Sequence, residues 1–159
     1  MTGPAVLRSD VGMAAPVEWV LVVASEATER MLLFRLLERE GYHATVADDV
    51  DAAVELLRTE PFDVVILHLK ASEPDDTYSL LERVKSDRLL RDTPVIVISA
   101  VAEPESVARC LHLGADDCLF KPGDPALLGA RIATSLEKRR LREREADYLE
   151  VMDQDRAGQ

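Results

Sequence analysis

Asp63-Val64-Val65-Ile66-Leu67-His68 decides the fold. Four consecutive apolar residues, three of them β-branched, follow the turn signal Glu60-Pro61-Phe62. A run this short and this apolar predicts a strand buried on both faces, and so the central strand of a parallel sheet. In open α/β sheets the chemistry gathers outside the carboxyl ends of the strands. His68 is the first residue expected to emerge there, which makes it the leading candidate for a functional position.

On both sides of this strand, apolar runs alternate with amphipathic segments. Trp19-Val20-Leu21-Val22-Val23 predicts a first buried strand. Glu26 to Glu40 predicts a helix with Met31, Leu32, Phe34, Leu36 and Leu37 at helical spacing, closed by Gly41. Tyr42 to Val46 is a second strand, and Asp49 caps a helix whose Ala52, Ala53, Leu56 and Leu57 face inward until Pro61 stops it. Beyond the central strand, Lys70 to Asp76 reads as a polar loop and Thr77 to Ser86 as a helix. Thr93-Pro94 introduces a fourth strand, Val95-Ile96-Val97-Ile98, ending at Ser99-Ala100. Pro104 opens a helix that runs to about Leu113 and closes at Gly114. Cys118-Leu119-Phe120 is a short fifth strand, followed by Lys121-Pro122-Gly123-Asp124 and a last helix from near Pro125. Such alternation means repeated βαβ units. The expected fold is α/β: a flavodoxin-like, doubly wound, five-stranded parallel sheet with five helices, the last one extended.

With 159 residues, 47% of them hydrophobic, the chain suits one compact domain with ends to spare. The expected division is a loose leader at 1–17, a domain at 18–139 and a helical extension at 140–159. A net charge of −11 and a pI near 4.7 argue against direct nucleic-acid binding, which needs a basic face. Met1 to Pro16 lacks the basic end and apolar run of a signal peptide, and no stretch is apolar enough to cross a bilayer. A cytoplasmic location is expected. Cys110 and Cys118, eight apart, match no zinc or redox spacing and read as reduced thiols filling the core.

The order of these elements, together with Val20 to Val23, Leu36-Leu37-Glu38 then Gly41-Tyr42, Asp63 to Ile66, Val95 to Ala100, Gly114-Ala115-Asp116-Asp117 and Lys121-Pro122, resembles the receiver domain of bacterial two-component response regulators. The resemblance runs from Trp19 to about Arg139. It implies a phosphorelay role in which an acidic pair after the first strand and an acceptor aspartate ending the third hold Mg²⁺ for phosphoryl transfer, because a hard cation needs oxygen ligands. Here the acidic pair falls on Ala24 and Ser25, with Glu26 the only neighbouring carboxylate, and the acceptor position falls on His68. Ser99 matches the switch hydroxyl and Lys121 the phosphate-contacting lysine, while Cys118 stands at the switch aromatic. Asp63 belongs at the opposite end of its strand, and Asp75 and Asp76 in the loop beyond it, so none of them restores the site.

His68 reads first as a structural histidine, and alternatively as a pH or ligand sensor, a phosphoryl acceptor or a metal ligand; His43 and His112 do not converge on it. Lys121 pairs with Glu26, or joins Ser99 and Ser25 in binding a small anion. From Pro125 the apolar pattern continues through Leu128, Ile132, Leu136, Leu141, Tyr148, Leu149 and Met152, predicting up to about 28 residues of helix. Leu141, Glu145, Tyr148 and Met152 fit a short parallel coiled coil, and a fraying charged helix fits as well. Arg142 to Leu149 resembles the linker that joins some receivers to an effector such as a nucleotide cyclase.

The expected function is a non-catalytic pseudo-receiver that signals by protein contact, with itself and a downstream effector, independently of aspartyl phosphorylation. It is expected to dimerise through the last helix and to use no metal, cofactor, nucleic acid or membrane. The alternatives are an input domain of a larger effector, an anion sensor, and a phosphoryl acceptor using His68 or Ser25.

Overall fold

The structure, a computed structural model, describes residues 18–69, 74–99, 104–120 and 125–157. The elements in order are β1 (Trp19–Val23), α1 (Ala27–Arg39), β2 (His43–Ala47), α2 (Val50–Thr59), β3 (Val64–Leu69), α3 (Pro74–Ser86), β4 (Val95–Ser99), α4 (Pro104–His112), β5 (Asp117–Phe120) and α5 (Pro125–Ala157). The five strands form one parallel sheet in the order β2-β1-β3-β4-β5. β3 lies at the centre and every one of its residues is buried.

Side chains alternate across a strand, so each strand feeds two cores. Val20, Val22, Val64 and Ile66 pack with Leu33 and Leu37 of α1 and Leu128, Ile132 and Leu136 of α5. Leu21, Val65, Leu67 and Val97 pack on the other face with Ala53 of α2, Leu80 of α3 and Cys110 of α4. Both faces are therefore covered, as the continuous apolar run in β3 requires.

Several boundaries differ from the sequence-based expectation. α3 begins at Pro74, not near Thr77, so Asp75 and Asp76 form its first turn and not a loop. Proline is tolerated at the first helical position, and acidic residues there favour the helix dipole. β2 and β3 each lie one residue later than expected, which places His68 inside β3 rather than beyond it. On α1, Leu33 and Leu37 are buried whereas Met31 and Leu32 are about half exposed, at 50% and 56%. α5 has 33 residues, longer than predicted. Asp49 caps α2 as expected, accepting from the Ala52 N–H at 2.7 Å.

At the amino ends of the strands, Asp63 Oδ2 accepts from the Trp19 N–H at 2.7 Å. Asp116 Oδ2 accepts from the Val95 N–H at 2.8 Å and from Lys85 Nζ at 3.1 Å. Arg139 and Arg140 of α5 reach this same end, Arg139 to the carbonyls of Phe62 and Asp63 and Arg140 to the Glu18 carboxylate. The rest of α5 therefore leaves the domain at the end opposite His68. Among the described residues no helix is long and apolar enough to cross a membrane.

Candidate functional site

β1 and β3 are neighbours at the point where the strand order reverses, and their carboxyl ends open into a small cavity. Val23 is in register with Leu67, which sets Ala24 level with His68. On the other side His68 is in register with Ile98, and Leu69 with Ser99. The topology thus brings Ala24, Ser25, His68 and Ser99 to one edge of the sheet. Ala24, His68 and Ser99 are buried, and Ser25 and Glu26 are exposed. Lys121, expected to pair with Glu26 or to bind an anion, lies outside the described residues. Cys118 is half-buried in β5.

The cavity holds about 40 Å³, room for water rather than a metabolite. Besides Ala24, Ser25 and His68, its walls include Asp48 and Asp49 after β2 and Asp76 of α3. Among the described residues lining it, three are carboxylates and none is a cation, a field that opposes an anionic ligand. Asp76, which the sequence placed in a distant loop, borders the site because α3 starts early.

Two further residues at the site were not foreseen. Glu29, one turn beyond Glu26, sets Oε2 4.0 Å from His68 Nε2, so Glu26 is not the only carboxylate beside the pocket. Arg30 Nη1 donates to the carbonyl oxygens of Ala24 and Ser25, both at 2.9 Å. The helical repeat narrows the candidates, since residues three and four after the N-cap Glu26 share its side of α1, but how that side turns over the loop is set by packing. Burial holds the His68 imidazole below its usual range, against the opposing pull of the Glu26 carboxylate. Its Nδ1 is buried and has no hydrogen-bond partner among the described residues.

These groups do not fit a Mg²⁺ ion. That ion demands octahedral oxygen ligation with carboxylate help. Here the loop after β1 offers a buried methyl and a hydroxyl, β3 offers a neutral imidazole, the two loop carbonyls already accept from a guanidinium, and Asp48, Asp49 and Asp76 line the cavity without converging as a ligand set. Among the described residues no three His, Cys, Asp or Glu side chains come together as metal ligands. The thiols are equally unsuited to chemistry: burial pushes Cys110 up to about 11 and Cys118 upward as well, leaving both protonated at neutral pH.

The family model described as the response regulator receiver domain matches residues 20–133. Among curated proteins, the chain is 34% identical to a two-component response regulator, ORR11, of Oryza sativa over 79% of this chain and 85% of that protein. It is 34% identical to the phosphate regulon transcriptional regulatory protein PhoB of Escherichia coli over 75% of this chain and 52% of PhoB. It is 35% identical to a second rice response regulator, ORR7, over 68% of this chain, so the chain spans about half the length of ORR7 and of PhoB. Among solved structures, NtrX of Brucella abortus, solved with ADP, superposes with a TM-score of 0.74 at 26% identity over 83% of this chain and 29% of NtrX. A CheY-like receiver domain from Methanospirillum hungatei superposes with a TM-score of 0.70 at 24% identity over 79% and 98% of the two chains, a likeness of fold.

Proposed function

The chain belongs to the response regulator receiver family, and on that premise we propose that it is a pseudo-receiver: a non-catalytic signalling module that works without aspartyl phosphorylation. One observation carries this reading. At the end of β3, where the family's acceptor is expected, stands the buried imidazole of His68, and the loop after β1 supplies Ala24 and Ser25 in place of two carboxylates. With Ser99 and Lys121 kept but no anion to grip, and with Cys118 in place of an aromatic lever, the usual switch loses its trigger.

Output then runs through protein contact, with a second copy of the chain and with a downstream effector. Leu111 of α4, Phe120 of β5 and Leu127 of α5 are exposed on neighbouring elements, and Leu141, Tyr148, Leu149, Val151 and Met152 are exposed along the end of α5. Homodimerisation through this last helix, a cytoplasmic location and the division at 17 and 139 belong to the same proposal. Contacts of α5 with the body continue past 139, to Arg140 with Glu18 and Arg142 with Asp116 at 4.0 Å.

The acidic walls of the cavity weigh against the anion-sensing alternative. Adding Mg²⁺ with beryllofluoride tests the main reading: the melting temperature stays where it is, since nothing binds the native state. A rise of several degrees contradicts the pseudo-receiver.

A further inference from the structure

Leu128, Ile132 and Leu136 of α5 are buried against the sheet. Leu141 follows Ile132 by nine residues, two and a half turns at about 3.6 residues per turn, and so stands on the opposite side of the helix. Tyr148 and Met152 fall on that same outer side, and the three are exposed at 53%, 65% and 39%. Leu149 and Val151 flank them and are exposed as well. Because this stripe points away from the body, a second helix can lie along it without meeting the domain. Glu145 stands in the stripe between Leu141 and Tyr148, and it decides the direction of such a helix. In a parallel pair each stripe position faces its own copy, so Glu145 meets Glu145. In an antiparallel pair the register that sets Leu141 against Met152 also sets Glu145 against Tyr148, whose hydroxyl can donate to the carboxylate.

We propose that the end of α5 docks antiparallel on the end of α5 of a second copy of the chain, Leu141 of each packing on Met152 of the other. This pairing rests on the proposed homodimerisation through α5 and gives it a direction. The charges along the helix favour the same direction. Residues 145–154 carry Glu145, Asp147, Glu150 and Asp153 and no basic residue, whereas 138–144 carry five basic residues and one carboxylate. Arg139, Arg140 and Arg142 already hold groups of the body, so Lys138 and Arg144 are the charges left to meet the acidic segment of the second copy. An antiparallel pair sets acidic on basic at both ends, and a parallel pair sets like on like, which opposes association. Leu149 and Val151 then meet the aliphatic stems of Arg142 and Arg144. The contact is isologous and closes at two copies. The two bodies sit on opposite sides of the helix pair, and the chains leave it in opposite directions. Such a dimer joins two receivers and does not hand an effector two parallel helix ends.

Leu141→Cys and Met152→Cys are made separately in the full chain, with Cys110 and Cys118 kept and the parent chain as control. Mild oxidation with glutathione of an equal mixture of the two variants yields a disulfide-linked dimer, assigned by peptide mass to positions 141 and 152, at about fivefold or more the level that either variant gives alone, because only opposed positions come within disulfide reach. In sedimentation of the unmodified chain, raising NaCl from about 0.05 to about 0.5 M weakens the dimer about threefold or more, as screening of unlike charges requires. A mixture that links no better than the single variants, Leu141→Cys linking to itself, or a dimer that holds or tightens with salt overturns the antiparallel pairing and leaves the dimer standing. A chain that stays monomeric at every concentration overturns the homodimer, and this pairing with it.

Discussion

Arg139 donates through Nη1 to the carbonyl oxygen of Asp63 at 3.1 Å, joining two residues 76 apart in sequence. The same nitrogen reaches the Phe62 carbonyl at 3.0 Å. Asp63 itself holds the start of β1 through the Trp19 N–H, so the last helix is fastened where the two central strands begin. Hydrogen bonds from a charged donor to part-buried carbonyls contribute about 1.5–3 kcal/mol. Arg139→Ala should lower stability by about that amount in urea unfolding, and Arg139→Lys should recover only part of it, because an ammonium lacks the planar fork. An unchanged midpoint for Arg139→Ala contradicts the clamp.

Gly114 and Gly41 both have positive φ, +111° and +93°, but their surroundings differ. A Cβ on Gly114 meets Lys85 Cγ at 2.8 Å, and Lys85 is held by Asp116 and by the carbonyls of Arg91 and Thr93. A Cβ on Gly41 meets nothing within 4 Å. Gly41→Ala should therefore cost about 1 kcal/mol from backbone strain, and Gly114→Ala about 2–3 kcal/mol, since the Lys85 network must also move. Equal losses on denaturation show that Lys85 yields freely.

The depressed proton affinity of His68 sets the sign of a pH effect. As pH falls through about 6.5, the unfolded chain takes up its proton first. Stability present above that value is lost progressively until pH passes the lower native value of His68. Thermal unfolding from neutral to mildly acid pH should show this decline, and His68→Gln should flatten it. A slope that His68→Gln leaves intact assigns the effect to other groups.

Residues 144–154 of α5 have no side chain buried against the body. Ending the chain after Glu143 keeps the Arg139, Arg140 and Arg142 contacts and removes the exposed Tyr148, Leu149, Val151 and Met152. Light scattering should then report a dimer for the full chain and a monomer for the shortened one, with the urea midpoint nearly unchanged. A dimer in both removes the tail from the proposed output.

The sheet was legible because β3 and β4 are apolar on both faces, a pattern that little besides a central parallel strand produces. Asp49 and Gly41 marked helix ends through local chemistry that reads the same in sequence and structure. The start of α3 was not legible: Pro74-Asp75-Asp76 suits a loop and a first helical turn alike, and the structure resolves it as the latter. Asp76 was consequently missed at the cavity. On α1, Met31 and Leu32 satisfy helical spacing as well as Leu33 and Leu37 do, and only the position of the sheet decides which pair is buried. The roles of Glu29 and Arg30 depend on the helix's rotation over the loop after β1, which composition does not carry. The pairing of Ala24 with His68, by contrast, follows from counting along the strands, since Val23 is in register with Leu67.

The most direct test of the account is intact mass spectrometry of the full chain after incubation with acetyl phosphate and Mg²⁺. The account predicts an unchanged mass, and an unchanged mass again for His68→Asp alone, because Ala24 and Ser25 still leave the metal unheld. A stable gain of about 80 Da on the wild-type chain, the mass of one phosphoryl group, contradicts it.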